Sequence, residues 1–533
     1  MFKRFLDKID NKKLMNLTKV CITILLLAQP IFDIIKASEI HDIQIFGFSF
    51  FEVFNIVMIF LLGVFAILQS QRKKRFWRYV LFGIIYLLYF ILHCYNMTLF
   101  NNEVYPEHTL NFMVEFYYLY KTFINPLILT MSLYYIGIDK RYLIKIIQIY
   151  SLMISVVVIL GDVFGFGYVA YGEDDARCMK SIFDWFSFDN SSRFAFYELT
   201  CKGLYFSANQ LSSITFMVLP VLLYSAYKNR KLIDYVSLVC MVICMYMLGT
   251  KVSTYGVLAV FAMFYVLYLF FILYNKYIKN NVKLNNVIGI TIVLLFSVSL
   301  FSVSPRRYEM KYDNDNLSSV KLIEDNLSGS AEDASLFSEK WAEIKEKDCY
   351  NMNDEDKKEF LNFFDKYSDY MGVSSFIIKS YDPHKYPEFW CEYLQTSESN
   401  DYRILKTSIL NEIYVNNDNK LDKYFGLGYN LNYIYTEADY SYQFYSYGIV
   451  GCLIFLGGYF AIIICSAYRM LRNSKRLFKF ENVLLMSAPA IALFTANFSG
   501  HVLERTMPLI TLAILCSITL ISNQKVSEVE KSN

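Results

Sequence analysis

The feature that most constrains this chain is the alternation of charge between its long apolar runs. About twelve runs of membrane-spanning length can be drawn, and the segments joining them alternate between Lys/Arg-rich and Lys/Arg-poor or mixed. In lipid, a run of that length satisfies its backbone polar groups only as a helix, so the pattern demands a helical polytopic protein. Basic residues are retained on the cytoplasmic side, so the same pattern lets a topology be written down.

Composition agrees. Apolar residues make up 55% of the 533 residues and aromatics 18%, well above a soluble domain. The net charge of +2 gives no bulk attraction to nucleic acid. The first 13 residues are basic, and the apolar run at 14–35 is long enough to span and lacks a small-residue cleavage pattern, so no cleavable signal is expected.

With Lys3, Arg4, Lys8, Lys12 and Lys13 inside, spans are expected at 14–35, 46–68, 79–99, 116–137, 143–164, 206–227, 233–248, 254–274, 285–303, 447–468, 483–496 and 507–521. Arg72, Lys73, Lys74, Arg75 and Arg78 form a strong cytoplasmic anchor, as do Arg469, Arg472, Lys475, Arg476 and Lys479. Both termini are then cytoplasmic, in a protein of the cytoplasmic membrane. The expected fold is an all-α polytopic membrane protein with about 12 transmembrane helices and one large extracytoplasmic loop domain. Its divisions are 1–303, 304–436 and 437–533.

The loop at 304–436 mixes acids with Trp341, Phe360, Phe363, Phe364, Trp390 and Tyr393, and 338–347 and 354–370 read as short amphipathic helices. That is enough apolar material for a small cap rather than a flexible linker. No internal repeat or inverted symmetry of the transporter kind is visible. Of the 11 cysteines, those in loops are Cys178, Cys201, Cys349 and Cys391, all on the outer side. An oxidising exterior permits Cys178–Cys201 and Cys349–Cys391 pairs, and the even count in each loop favours pairing over four free thiols.

Soluble-enzyme signatures are missing: no Gly-rich phosphate loop, no His-Glu-x-x-His, no Cys-x-x-Cys. His93 lies within a span and reads as a buried helix contact. Four places stand out. Gly249-Thr250-Lys251-Val252-Ser253-Thr254 is a tight outer turn whose lysine can bind an anion or simply snorkel. At the entry to the sixth span, Asn209 and Gln210 can hydrogen-bond a sugar or cap the helix. Arg403 opens a helix-like run at 404–415 and precedes Gly426-Leu427-Gly428; a guanidinium grips phosphate bidentately, whereas a lone loop arginine is usually solvated. Glu437 and Asp439 stand at the mouth of the tenth span beside Tyr440, Tyr442, Phe444 and Tyr445. A partly desolvated acid there can act as a general base, or it can be a solvated interfacial acid beside a tyrosine belt.

Taken in order, these features resemble the O-antigen polymerase and O-antigen ligase superfamily. Glu437-Ala438 is followed by nine residues and then Gly448-Ile449-Val450-Gly451, similar to that family's outer-side His or acid, small or amide residue, nine-residue spacer and Gly-x-x-Gly. Arg403 before Gly426 and Gly428, the basic turn Thr250-Lys251, and Asn209 complete the resemblance. Glu437 stands where the ligases carry His, and Lys251 where Arg is usual; both departures lean to the polymerase side.

The resemblance implies a GT-C-like membrane glycosyltransferase that polymerises undecaprenyl-diphosphate-linked repeat units at the outer face. The prenyl tail would lie in membrane lipid and a chain-length regulator protein would be a partner. It implies no nucleotide-sugar and no metal, because the lipid diphosphate already activates the donor. Glu437 or Asp439 would be the base, Arg403 and Lys251 would hold the diphosphate, and Asn209, Tyr440 and Arg505 would contact substrate. A glycan ligase transferring finished polymer shares this chemistry. A lipid-linked glycan flippase would instead call for repeat symmetry and polar groups near mid-membrane, and a sensor for a cytoplasmic output domain.

Overall fold

The computed structural model describes residues 11–38, 44–45, 48–69, 72–170, 176–187, 195–278, 285–315, 331–368, 373, 375–396, 402–429, 434, 436 and 438–523. It is almost wholly helical, with one two-residue hairpin, β1 (Gln44–Ile45) against β2 (Phe48–Ser49). Among the described residues, seven helices are long and apolar enough to cross a membrane: Lys12–Ala37, Phe50–Leu68, Lys74–Met97, Lys140–Val163, Ala208–Lys228, Lys251–Tyr277 and Asp439–Arg472. Ile288–Phe301 and Pro305–Lys311 form a pair bent by 46°, and Leu232–Met247, Phe480–Ala496 and Thr506–Ser522 are shorter apolar helices. Phe112–Leu119 continues through a π turn, Tyr120–Ile124, into Asn125–Ile136. Together these helices cover every apolar run drawn from the sequence, and the protein is a polytopic membrane protein.

Packing divides the chain into two compact units. The bundle unit comprises Met1–Leu87, Tyr117–Met310 and Ile454–Asn533; the loop unit comprises Leu88–Phe116 and Lys311–Leu453.

At the centre of the bundle unit is α1 (Ala208–Lys228), whose entire apolar window is buried, against 28% for Phe50–Leu68. It packs against Phe480–Ala496, Lys251–Tyr277 and Leu232–Met247, so it is a span enclosed by protein, while the outer helices keep an apolar face for lipid. Several buried hydroxyls are satisfied within their own helices. Thr18 donates to the Leu14 carbonyl at 2.8 Å, Ser212 to Ala208 at 2.7 Å and Thr511 to Met507 at 2.9 Å. This lets a Ser or Thr lie in an apolar bundle without an orphaned donor.

The loop unit has the core of a soluble domain. Helices α2 (Ala331–Glu346), α3 (Asp354–Tyr367), α4 (Pro387–Thr396) and α5 (Tyr402–Asn416) surround Phe360, Phe364 and Trp390, all buried. The Phe364 and Trp390 rings meet edge-on at 4.9 Å, and the indole nitrogen donates to the Tyr381 carbonyl at 2.9 Å. Asn353 caps α3 by accepting from the Asp356 amide, and Asp354, Glu355 and Asp356 suit the positive end of that helix. Cys349 and Cys391 are disulfide-bonded, tying positions 42 residues apart. The expected Cys178–Cys201 pair is corrected: both are buried free thiols, donating instead to the carbonyls of Thr200 and Val158.

Candidate functional site

In the loop unit, Arg403 is the second residue of α5, and Thr407 and Asn411 follow it at one-turn intervals. That spacing sets the three on one helix face. The face lines a cavity of about 580 Å³ with Glu392, Glu412, Ala438 and Tyr445. The Tyr445 hydroxyl donates to Asn411 Oδ1 at 3.2 Å, and Glu392 accepts from the Tyr350 hydroxyl. One guanidinium, two carboxylates, an amide and aromatic rings therefore share one concave surface.

Ala438 and Tyr445 belong to the segment that enters the helix α6 (Asp439–Arg472). Asp439 is its first residue and fully buried; a carboxylate is stabilised at that helix end by the backbone dipole. Gln443 and Tyr447 follow at four-residue intervals, both also buried. Gln443 has no hydrogen-bond partner for either amide atom. Tyr440 is half-buried. The helix thus begins eight residues before the expected span, and the run of aromatics is its first two turns. Glu437 lies outside the described residues.

The two glycine motifs meet backbone to backbone. A Cβ on Gly426 would stand 2.3 Å from the Ser446 carbonyl, and one on Gly448 would stand 2.4 Å from the Tyr424 carbonyl carbon. Leu427 and Gly428 donate their amides to Tyr445 and Ser446 at 2.7 and 3.0 Å. Gly426, Gly428 and Gly448 all have positive φ, which L side chains adopt only at a cost. The Gly-x-Gly turn is therefore the seat of the kink in α6.

Sequence reasoning passed over the polar cluster behind that turn. His93 Nδ1 lies 2.7 Å from the Phe425 carbonyl and Nε2 lies 3.2 Å from Glu115 Oε2, with both side chains fully buried. A carbonyl only accepts, so Nδ1 donates to it. Asn96 donates to Asp422 and to the Gly426 carbonyl, each at 2.8 Å. Burial pushes the Asp422 carboxyl above its usual range, opposed by hydrogen bonds from Asn417 and Asn96. The available signal was an ionisable residue at the edge of an apolar run, Glu115 beside the span expected at 116–137.

The remaining sequence-derived residues lie in the bundle unit. Lys251 is exposed at the first position of Lys251–Tyr277, where Thr250 caps the helix by accepting from the Ser253 amide. Asn209 is half-buried in the first turn of α1, and its neighbour Gln210, not Asn209, reaches a carboxylate: Nε2 donates to Asp33 Oδ1 at 3.0 Å. Arg505 Nε lies 3.3 Å from Glu504, which also pairs with His501 at 3.4 Å. Burial pushes the Glu504 carboxyl up, but the His501 hydrogen bond and the charges of Arg505, His501 and Lys121 bring it down to about 2. Arg403, Asp439 and Tyr440 thus belong to the loop unit; Lys251, Asn209 and Arg505 belong to the bundle unit.

Membrane-crossing helices and a polar cavity beside a glycine-kinked span define a polytopic membrane protein with a built polar site. The model of the family described as O-antigen ligase like membrane protein matches residues 15–526, and the chain belongs to that family. No curated protein matches the chain.

Proposed function

We propose that this protein is a membrane glycosyltransferase that polymerises oligosaccharide repeat units carried on a polyisoprenyl diphosphate. The observation that carries this reading is the cavity of about 580 Å³ around Arg403, in a chain of this family. A guanidinium suits a diphosphate, and carboxylates, amides and aromatic rings suit sugar hydroxyls and ring faces. In this reading Arg403 holds and neutralises the departing diphosphate, the largest electrostatic demand of the reaction. Asp439 or Glu437 takes the proton of the acceptor hydroxyl. Tyr440 contacts substrate. The 304–436 segment faces the outer side of the cytoplasmic membrane, both termini face inward, and a chain-length regulator is a partner.

The family's description favours one second reading, a ligase that moves finished polymer to a surface acceptor. Cells lacking the gene decide between them. Accumulated single lipid-linked units indicate a polymerase, and accumulated long lipid-linked polymer indicates a ligase. In either case Arg403→Ala should reproduce the null phenotype while the protein remains in the membrane. Wild-type chain length in that variant removes the cavity from the account.

A further inference from the structure

We propose that the segment 179–186, which the apolar pattern leaves between two spans, lies in the bilayer interface and inserts Met179, Phe183 and Phe186 among lipid acyl chains. These three side chains are 93%, 69% and 69% exposed, and Phe164 is 70% exposed. The outward residues of the preceding span, Ile149, Val156, Leu160 and Val163, are only between 37% and 41% exposed. Large apolar side chains gathered so openly mark a surface that something other than water covers. Two of the rings are presented by a built element, the 3-10 helix Ile182–Phe186. At three residues per turn, Phe183 and Phe186 share one side of it. Trp185, on another side, is fully buried and donates its indole N–H to the Leu199 carbonyl at 3.1 Å, while the Tyr308 hydroxyl donates to the Trp185 carbonyl at 2.5 Å. Asp184 accepts from the Ser181 amide at 2.7 Å and closes the first turn. Asp162, in the last turn of the span Lys140–Val163, accepts from the Ile182 amide at 2.7 Å. The short helix is thereby pinned to the end of a membrane helix, and its outward rings are held in place.

Continuity with the lipid-facing stripe of that span names the occupant. Ile149, Val156, Leu160 and Val163 recur on one face of the helix, while Ile147, Tyr150, Ile154 and Val158 on the opposite face are buried. Phe164 and Phe166 carry exposed apolar surface on past the helix end, and the Asp162 contact sets the 3-10 helix beside it. The charged neighbours are already engaged: Lys180 pairs with Glu198 at 2.6 Å, and the Arg177 guanidinium lies over the Tyr168 ring at 4.0 Å. Apolar rings flanked by cations and tyrosine suit an element at the boundary between headgroups and acyl chains. In the topology proposed above this is the outer leaflet. Such an anchor fixes the depth and tilt of the preceding span at that end. The inference goes beyond the proposed function and holds equally for a polymerase or a ligase.

The test is photo-crosslinking of the purified full-length protein in nanodiscs of phosphatidylcholine and phosphatidylglycerol. The photoreactive p-benzoylphenylalanine replaces, one at a time, Phe183, Phe186, Val156 on the lipid-facing stripe, and Glu355, an exposed acid of α3. All four side chains are exposed, so each variant should fold, and its melting temperature checks this. After irradiation, mass spectrometry should find phospholipid adducts at positions 183 and 186 in yields within about threefold of position 156 and at least about tenfold above position 355. Yields at 183 and 186 no higher than at 355 overturn the proposal. So does crosslinking of either position to a second copy of the chain, or to another protein in native membranes, in place of lipid, because the patch then belongs to a protein partner. Failure of the polymerase reading instead appears as normal chain length in Arg403→Ala cells, whatever the adducts show.

Discussion

The two units bury different kinds of polar contact. In the bundle unit, Thr18, Ser151, Ser212 and Thr511 return their hydroxyls to the carbonyl one turn back, and side chains pair between helices, as Gln29 with Asn55 and Gln210 with Asp33. In the loop unit, His93 reaches the Phe425 carbonyl and Asn96 the Gly426 carbonyl, behind a glycine turn that meets distant backbone directly. A side-chain pair between helices can adjust, whereas a backbone-to-backbone approach fixes one arrangement of distant segments. At that turn the loop unit is the less forgiving of the two.

The sharpest way to break this comparison is a glycine substitution in each region. Gly426→Ala places a Cβ against the Ser446 carbonyl at a residue with φ of 77°, and no side-chain movement relieves a backbone clash. Loss of the loop-unit fold is expected, seen as proteolysis of that region and failure to accumulate. Gly457→Ala, in a helical segment of the bundle unit where a Cβ meets nothing within 4 Å, should be tolerated. Equal damage from both would deny that the units differ.

A second probe uses acid. The folded-state pKa of Glu504, about 2, lies below its ordinary value of 4.5, so its contribution is present above that ordinary value and is lost as pH falls towards 2. The stake is on the order of 3 kcal/mol. Melting temperature should fall across that window in wild type and much less in Glu504→Gln; parallel curves would show that the cluster does not hold the carboxylate.

The smallest expected effect is on stability in Gln443→Leu. Replacing an unpartnered buried amide by an apolar group of similar size should leave stability unchanged or raise it by about 1 kcal/mol. A lowered melting temperature would mean that the amide is paired.

The contrast also explains what could be read in advance. Apolar runs of about twenty residues leave the backbone one option, so the spans were legible from sequence. Arg403 and the glycine motifs were visible as residues, because guanidinium and Gly-x-Gly are distinctive. Their meeting was not: Gly426 touches Ser446 and Tyr447 through backbone atoms, which carry no sequence signature. Asp33 with Gln210 and His93 with Glu115 were missed because each pair joins residues from different helices, 177 and 22 positions apart. The start of α6 at Asp439 was missed because its first turns, rich in Tyr and Ser, look interfacial by composition. The Cys178 and Cys201 thiols show the limit of counting: an even number in a loop permits a bond without requiring one.

The central claim is that Arg403 serves glycan transfer from a lipid diphosphate. Its most direct test is reconstitution of the purified protein in nanodiscs with a polyisoprenyl-diphosphate-linked oligosaccharide as both donor and acceptor. The account predicts chain extension by wild type and loss of at least about a hundredfold in Arg403→Gln, with the melting temperature unchanged. Extension at the wild-type rate by Arg403→Gln would contradict it.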